Sequence, residues 1–533
     1  MSTTQYAVQL VGKDQLQLNR AKPVPEPGAC EILLKVEAVG LCFSDLKLLK
    51  QFDEHGRKSE VVKGLPADIL RDVQSYVPGK NPTVPGHEVV ARIVKVGEAV
   101  KHHRVGERCL VQTDYRDLKT AASNAAFGYN FEGALQEYVV VDERVVVDHA
   151  GERMLIEVDE ASSRSAVALV EPWACVEDSY VNRERQGIKA GGKLAIVAAT
   201  GVDISSVDAL PAGEVVKLEP ANVNELANES CDDIVYFGSD ADVIETLNDK
   251  LAKGGTINIV LCGGKIGRKV TVGVGRVHYG LTRWVGTTGA DASESYRHIP
   301  ATDEIRENDR ILVIGAGGPM GQMHVIRNVC SNVKGVSVTG TDFDDARLHA
   351  IEQKVAPLAR ANGVETRFIN TQKSPLQGEA FSYFGIMAPV PVLIEQCIAD
   401  AEEGAIINIF AGIPAPVKHA IDLDSYISKK LFMFGTSGSV VEDMKIVLRK
   451  VQSGSLDTNS SLDAVSGMAG AVDGIRAVEN RTLAGKIIVY PQLRELGLTP
   501  LSELAKAYPS VAAKMSNGMW TKEAEEELLS VAS

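Results

Sequence analysis

Four side chains of metal-binding type lie in three short motifs of the N-terminal part. Cys42 lies in GLCFSDLK (residues 40–47), His87 and Glu88 lie in PGHE (85–88), and Glu171 lies in VEPW (170–173). A thiolate, an imidazole and a carboxylate are ligands that suit zinc, and three protein ligands with one open position describe a catalytic rather than a structural zinc site. Cys42 and His87 are 45 residues apart, so the spacing alone does not establish the site. A lone Cys and a lone His in a β-rich domain are usually core residues.

A glycine-rich stretch is the second feature with chemical meaning. Residues 310–321 read as a strand, a turn containing Gly315, Gly317, Gly318 and Gly321, and the start of a helix. Such a turn lets backbone N–H groups and the helix N-terminus approach a pyrophosphate. The turn has one residue more than the usual G-x-G-x-x-G, so which glycine takes which role stays open. The alternative is a glycine-rich turn in an α/β sheet that binds no nucleotide.

The residue that strengthens the nucleotide interpretation is Asp342. It lies 21 residues after Gly321, at the end of the next predicted strand, where a carboxylate accepts hydrogen bonds from the adenosine ribose hydroxyls. Asp344 and Asp345 follow it rather than an adjacent arginine, which favours NAD over NADP. The full predicted cofactor-binding set is Gly315, Gly317, Gly318, Pro319, Met320, Gly321, Asp342 and Arg347.

Composition limits what surrounds these motifs. A chain of 533 residues is too long for one hydrophobic core and predicts about two to four domains. The net charge of −14 argues against a nucleic-acid or anionic-membrane partner. The N-terminal segment lacks the apolar core of a signal peptide, and no segment has the apolar length of a membrane helix. We therefore expect a cytoplasmic protein with no membrane association.

The pattern of strands and helices predicts an all-β, barrel-like N-terminal domain followed by α/β units. Short strands separated by Gly, Pro and Asp turns occupy about the first 150 residues, and a polar, basic segment at 51–80 looks like an insertion. We expect a solvated charged loop there, with binding of an acidic or phosphorylated sugar as the alternative, and we expect His102 and His103 on an exposed turn. Strands then alternate with helices, which is typical of a parallel sheet.

An internal repeat divides the α/β part. GGTINIV (254–260) matches GAIINIF (404–410) at an offset of 150, and WVGTTG (284–289) matches MFGTSG (433–438) at an offset of 149. The opening strands, LAIV and LVIG, are offset by only 118, so the first copy is short by 32 residues, roughly one βα unit. The first copy also lacks the glycine turn. We therefore expect it to bind no dinucleotide and to serve a structural purpose instead.

The order of these motifs resembles the zinc-containing medium-chain dehydrogenases, with the sorbitol and threonine dehydrogenases as the nearest subgroup. The resemblance covers residues 1 to about 200 and 300 to 491. It implies a GroES-like β-barrel catalytic domain at 1–185 with a return strand at 486–491. The duplicated unit is not part of the ordinary family plan. The internal repeat predicts two tandem Rossmann-like units, the first degenerate (190–300) and the second an NAD-binding domain (308–485), followed by a helical C-terminal tail (492–533).

Site roles are carried over from the family residue by residue. The resemblance implies Cys42 and His87 as zinc ligands, Glu88 as a third ligand or a close neighbour of the metal, and Glu171 as a ligand, direct or through water. Ser44 would take the substrate hydroxyl proton, and Asp45 would orient a ligand. A family histidine that ends the proton relay is replaced here by Lys47. The four closely spaced cysteines of a structural zinc lobe are absent between Cys109 and Cys175, so we expect one catalytic zinc only.

The resulting hypothesis is an NAD-dependent zinc dehydrogenase that oxidises a secondary alcohol, such as a polyol or sugar derivative, to a ketone. The resemblance implies a homo-oligomer, a dimer or tetramer, associated through the coenzyme domain. Two alternatives stay open: a non-catalytic NAD-sensing or scaffold protein, and a zinc-free reductase of the same superfamily. The retained set of Cys42, Ser44, Asp45, His87, Glu88 and Glu171 argues against both.

Overall fold

A computed structural model describes residues 3–207, 211–436 and 438–532. The chain divides into two units. Unit 1 comprises Met1–Glu177 and Gly438–Ser533, and unit 2 comprises Asp178–Ser437. Residues 438–485, which the sequence analysis assigns to the NAD-binding domain, are part of unit 1. The reason is that they contribute the strand Leu462–Ser466 to the sheet of unit 1. No helix of the described residues is both long and apolar enough to cross a bilayer.

The N-terminal part of unit 1 is rich in short strands, as the alternation of apolar and polar residues predicts. Its elements are β1 (Thr4–Gly12), β2 (Gln15–Pro23), β3 (Glu31–Gly40), α1 (Phe43–Gln51), β4 (Val61–Lys63), α2 (Ala67–Asp72), β5 (Glu88–Val96), β6 (Arg108–Val111), β7 (Asp114–Thr120), β8 (Asn124–Ala126), β9 (Tyr138–Asp142), α3 (Glu143–Val146), β10 (Leu155–Glu157), α4 (Arg164–Ala168) and α5 (Val170–Val181).

Unit 2 contains the α/β part of the chain. Its first half holds β11 (Lys193–Ala198), β12 (Glu214–Leu218), β13 (Cys231–Phe237), α6 (Ala241–Lys250), β14 (Leu251–Val260), β15 (Val270–Val272), α7 (Val274–Tyr279), β16 (Arg283–Thr287) and α8 (Ser293–Tyr296). Its second half holds β17 (Arg310–Ile314), α9 (Pro319–Val329), β18 (Ser337–Asp342), α10 (Asp345–Asn362), β19 (Glu365–Asn370), β20 (Phe381–Ile386), α11 (Val392–Asp400), β21 (Ala401–Asn408), β22 (His419–Ile421), α12 (Leu423–Ser428) and β23 (Phe432–Phe434).

The C-terminal part returns to unit 1. It consists of α13 (Val441–Gln452), β24 (Leu462–Ser466), α14 (Ala471–Asn480), β25 (Lys486–Val489), β26 (Thr499–Pro500), α15 (Leu504–Ala507), α16 (Pro509–Ala512) and α17 (Lys522–Val531). The predicted return strand corresponds to β25, which pairs antiparallel with β3. The tail contains three helices, α15, α16 and α17, within its described residues.

The main sheet of unit 1 is built around β3. Its strands run in the order β10-β6-β5-β3-β25-β24-β26, with β9 also pairing with β3. In β3 every residue but Lys35 and Glu37 is buried, because the strand is covered on both faces. The antiparallel register places Gly40, the last residue of β3, opposite Glu88, the first residue of β5. The segments carrying Cys42 and His87 therefore lie side by side.

Two parallel sheets form the core of unit 2. The first has five strands in the order β12-β11-β13-β14-β16, and the second has six in the order β19-β18-β17-β20-β21-β23. In the second sheet, helices α9 and α10 follow the first two strands. In the first sheet, the described residues after β11 and β12 form only the 3-10 segments Ser205–Val207 and Pro220–Glu225. The second sheet alone therefore has a full helix after its opening strand.

One expectation about the surface of unit 1 is wrong. His102 is exposed, as expected, but His103 is buried and its Nδ1 lies 2.9 Å from Glu143 Oε1. The same carboxylate accepts the backbone N–H groups of Lys101 and His102. An acidic residue 40 positions away draws this turn inward, and nothing in the local sequence indicates that.

The C-terminal tail is tied to unit 1 by a buried carboxylate. Glu525 of α17 is 1% exposed. It accepts hydrogen bonds from the backbone N–H groups of Arg164 (2.6 Å) and Ser165 (2.8 Å), and from the Tyr490 hydroxyl (2.9 Å). Glu525 therefore satisfies two N–H groups that the first turn of α4 leaves without a helical partner.

We expect Glu525→Ala to lower the free energy of unfolding by about 3 kcal/mol, because it leaves buried donors without acceptors. Urea denaturation measures the change. Glu526→Ala is the matched control: Glu526 is exposed and pairs with Lys522 at 3.7 Å, so its loss should cost less than about 0.5 kcal/mol. Equal effects of the two substitutions would contradict this anchoring role.

Candidate functional site

The structure brings together three of the four predicted metal ligands. Cys42 follows β3 and is the N-cap residue of α1, while His87 and Glu88 lie at the start of β5. A thiol sulfur, an imidazole nitrogen and a carboxylate oxygen from these residues all lie within 4.8 Å of one another. His87 and Glu88 are buried and Cys42 is half-buried. This is a donor set that suits zinc.

Two glycines make this close approach sterically feasible. A Cβ at Gly40 would overlap the Glu88 carboxylate, so a side chain there would displace Glu88. Gly86 has a φ of +96°, which favours glycine, and a Cβ there would lie 2.9 Å from Leu135. The glycines of GLC and PGHE are therefore part of the site's geometry.

His87 is oriented by Asp45. The Nδ1 atom of His87 lies 3.1 Å from Asp45 Oδ1, and the Nε2 atom lies 2.9 Å from Ser44 Oγ. Burial lowers the pKa of His87, but the Asp45 carboxylate, together with Tyr129 and Cys42, raises that pKa well above its ordinary value. The Asp45 carboxylate can accept a hydrogen bond from Nδ1, while Nε2 faces the Ser44 hydroxyl. This is the usual way in which a carboxylate fixes a metal-binding histidine.

Glu88 has one paired and one unpaired oxygen. Its Oε1 accepts a hydrogen bond of 2.5 Å from the Lys486 ammonium of β25. Its Oε2 is buried, and among the described residues it has no hydrogen-bond partner. A buried carboxylate oxygen without a partner is costly unless a ligand completes it. This atom, beside a thiol and an imidazole, fits a bound cation.

Glu171 adjoins the cluster without belonging to its closest set. It lies in the first turn of α5, where burial raises its pKa to about 7, and the nearby Glu88 carboxylate contributes to the rise. His87 and Lys486 act in the opposite direction on the same pKa. The four groups are therefore within electrostatic reach of one another. Whether Glu171 binds a metal, directly or through water, stays a prediction.

Sequence reasoning missed two residues of the site. Lys486 lies in a strand almost 400 positions after Glu88. The Tyr129 ring lies 5.8 Å from the His87 ring and 5.1 Å from the His55 ring. Tyr129 follows a short strand in a turn, where no spacing marks it as functional. Lys47, which stands where the family has the histidine that ends the proton relay, is exposed on α1.

The segment at 51–80 is only partly solvated. Arg57 is half-buried, with its guanidinium 5.8 Å from the centre of the Tyr129 ring and 3.1 Å from the Asp114 carboxylate. Lys58 is fully buried, and burial lowers its pKa to about 7. Its ammonium donates to the carbonyl oxygens of Val77 and Asn81. Lys58 therefore supports this segment from inside, while Arg57 lies beside the cluster.

The glycines of the turn in the second sheet have different structural roles. Gly315 has a φ of +86° and makes the turn after β17. Gly317 donates its N–H to Asp342 Oδ2 at 3.0 Å, and a Cβ there would lie 2.7 Å from the Cβ of Arg347. A Cβ at Gly321 would overlap the backbone of Gly315, so this glycine permits close packing of helix on strand.

The rest of the predicted cofactor set surrounds the same turn. Gly318 is the N-cap residue of α9, Pro319 is its first residue and Met320 its second. Proline fits this position because its missing N–H would have no helical partner. Asp342 ends β18 beside the turn. All eight predicted positions thus lie at one carboxyl edge of the second sheet, the usual place for a ligand in such sheets.

Comparison with known proteins agrees with this geometry. Residues 28–150 match the family described as "Alcohol dehydrogenase GroES-like domain". A mannitol-1-phosphate 5-dehydrogenase from Aliivibrio fischeri is 22% identical over 380 residues, which cover 62% of this chain and 84% of that protein. The sorbitol dehydrogenase of Bos taurus is 36% identical over 90 residues, which cover 17% of this chain and only 20% of that protein.

Solved structures share the fold. The 2R,3R-butanediol dehydrogenase of Bacillus subtilis aligns over 92% of this chain and all of that chain, with a TM-score of 0.52 and 14% identity. The GroES-like domain and the Rossmann-type parallel sheets predicted from the sequence are confirmed. Together, these likenesses show a GroES-like domain of the alcohol dehydrogenase type at residues 28–150 and the fold of such a dehydrogenase over most of the chain.

Proposed function

We propose that this chain is a zinc-dependent, NAD-linked dehydrogenase that converts a secondary alcohol, such as a polyol or a sugar derivative, to a ketone. The observation that carries the proposal is the cluster of Cys42, His87 and Glu88, in which a buried carboxylate oxygen lacks a partner among the described residues. The names of the relatives, sorbitol and mannitol-1-phosphate dehydrogenases, support a polyol-type substrate.

Cys42, His87 and Glu88 would hold one zinc ion, with Glu171 as a further ligand, direct or through water. A bound zinc would supply Lewis-acid polarisation of the substrate hydroxyl, and a bound nicotinamide would accept hydride. Asp45 holds His87 in the orientation that this site requires. Lys486 balances the charge of Glu88, which is 0% exposed.

Ser44 would receive the substrate proton. Its Oγ lies 2.9 Å from His87 Nε2. The hydroxyl both donates and accepts, so it can pass a proton on as it receives one. Lys47 lies three residues further on α1 and is exposed, which suits a group that exchanges the proton with water.

The dinucleotide would bind only at the second sheet. The turn at 315–321 presents backbone N–H groups and the N-terminus of α9, an 11-residue helix. The first parallel sheet would be a degenerate copy of the same unit, one strand shorter. We therefore propose one NAD per chain, with the adenosine ribose at Asp342.

We expect Asp342→Ala to weaken NAD binding by about tenfold to a hundredfold, because hydrogen bonds to a charged acceptor are lost. NADP binding should weaken less, since the carboxylate repels a 2′-phosphate. Titration of the purified protein with each cofactor measures both effects. Asp345→Ala removes an exposed charge that pairs with Lys373 and should leave NAD affinity unchanged. A stoichiometry of two equivalent sites per chain would contradict the proposal.

A substrate screen that follows NADH formation tests the activity itself. Polyols, sugar phosphates, sugar acids and hydroxy amino acids should be compared, because the Arg57 guanidinium beside Tyr129 offers a positive charge near the cluster. A preference for phosphorylated or acidic substrates that is lost in Arg57→Gln would assign the 51–80 segment to anion binding. No such preference would mean that the charges of this segment do not bind the substrate. Lack of turnover with every class would favour a sensor or scaffold protein. Turnover without metal would favour a zinc-free reductase.

A further inference from the structure

Strands β15 and β22 pair with each other in a way that reflects the internal repeat. They are antiparallel, with Val270 opposite Ile421, Thr271 opposite Ala420, and Val272 opposite His419. At the repeat offset of 149, Thr271 and Ala420 are equivalent residues. The two strands are thus equivalent segments of the two copies, and their central residues, Thr271 and Ala420, lie opposite each other. Only a two-fold arrangement of the two copies produces this register.

Other contacts obey the same reciprocity. A Cβ at Gly286 would lie 2.7 Å from Ile427 Cγ1, and a Cβ at Gly435 would lie 2.8 Å from His278 Cα. Gly286 and Gly435 are equivalent at the offset of 149, and so are His278 and Ile427. Each copy therefore presents the same glycine to the same position on the short helix, α7 or α12, of the other copy.

One hydroxyl group links an equivalent pair. Tyr426 Oη donates to the carbonyl oxygen of Trp284 at 2.8 Å and accepts the backbone N–H of Met433 at 3.0 Å. Trp284 and Met433 are equivalent residues in the end strands β16 and β23, and these two strands lie next to each other. The contact surface thus runs from the β15–β22 pair to the edges of both sheets.

In these contacts, position i of the first copy meets position j of the second, and position j of the first meets position i of the second. Identical subunits related by a two-fold axis make contacts of this kind, which are called isologous. We infer that the two copies in unit 2 contact each other through such an interface, formed within a single chain. The degenerate first copy occupies the place of a partner subunit, so the surface that would join two coenzyme domains is already covered by the chain itself.

This assigns a purpose to the first copy. A tethered partner is present at a high effective concentration at any protein concentration, so the second copy is stabilised without a second chain. Only the contact surface of the first copy must be kept for that purpose, which explains why a copy without a glycine turn persists. It also limits the expected homo-oligomer: a second chain cannot dock on this face.

Cysteine cross-linking at the pseudo-two-fold axis tests the inference, in a Cys262→Ser background because Cys262 is exposed. Directly opposed residues of antiparallel strands are close enough for a disulfide. Under mild oxidation, Thr271→Cys/Ala420→Cys should form a disulfide within one chain. It would be seen as a shift in electrophoretic mobility of the monomer, without a covalent dimer. Thr271→Ser/Ala420→Ser controls for folding, monitored by circular dichroism.

The single variant Ala420→Cys is the sharper arm. In a dimer joined through the coenzyme sheet, residue 420 of one chain would face residue 420 of the other, and oxidation would give a covalent dimer. We expect no covalent dimer, because Thr271 of the same chain occupies that place. A covalent dimer of Ala420→Cys, an interchain cross-link in the double variant, or a double variant that stays reduced would each overturn the inference.

Discussion

Cys42→Ser should lose the bound metal and lower kcat by about a thousandfold, equivalent to about 4 kcal/mol of transition-state stabilisation. The physical reason is that a serine hydroxyl stays neutral near pH 7, whereas the thiolate is the form of cysteine that binds metals. Cys42 contributes the only sulfur to the described cluster of possible metal ligands, so no neighbouring residue can replace it. Steady-state kinetics and metal analysis of the same preparation measure the two losses together.

The matched control is Cys262→Ser. Cys262 is exposed and lies in unit 2, so its replacement should change neither metal content nor turnover. The fold should survive both substitutions, which circular dichroism checks. Full turnover and unchanged metal in Cys42→Ser would show that the cluster is not the catalytic centre.

Lys486→Met is expected to lower the free energy of unfolding by about 3–5 kcal/mol. It leaves the Glu88 carboxylate, which is 0% exposed, without its counter-charge. Breaking a buried ion pair from one side typically costs about 3–5 kcal/mol. The Leu41 carbonyl would also lose a hydrogen bond from the ammonium group, which is 2.8 Å long. Urea unfolding of the metal-free protein measures the loss.

A second substitution separates the charge effect from lost packing. In the double variant Glu88→Gln/Lys486→Met the unpaired charge is gone, so much of the stability should return. Lys445→Met removes a pair with Glu152 in which both side chains are about 40% exposed, and it should cost less than about 1 kcal/mol. If Lys486→Met costs no more than this control, the buried pair does not have the role given to it here.

The ligand motifs were readable from the sequence because each carries its own local geometry. GLC and PGHE each combine a donor with the glycine that lets the donors approach, and the register of β3 against β5 then places Gly40 opposite Glu88. Asp342 was readable for a similar reason, since strand, turn and helix are contiguous and fix the distance from Gly317 to the next strand end.

Lys486, Tyr129 and Glu525 were not readable because their partners are distant in sequence. Lys486 meets Glu88 only because β25 returns to pair with β3. Glu525 reaches the first turn of α4 across more than 350 residues. Such contacts depend on how elements pack, which no spacing along the chain encodes. The repeat itself was visible in the sequence, but which surfaces of the two copies meet was not.

Zinc content of the wild-type chain tests the central claim most directly. The full-length protein, purified without chelators, should contain one zinc ion per chain by mass spectrometry of the elements, because Cys42, His87 and Glu88 form one site and no structural zinc is expected. A stoichiometry of one would agree with the proposed dehydrogenase. A preparation that is fully folded and active but contains no zinc would contradict it.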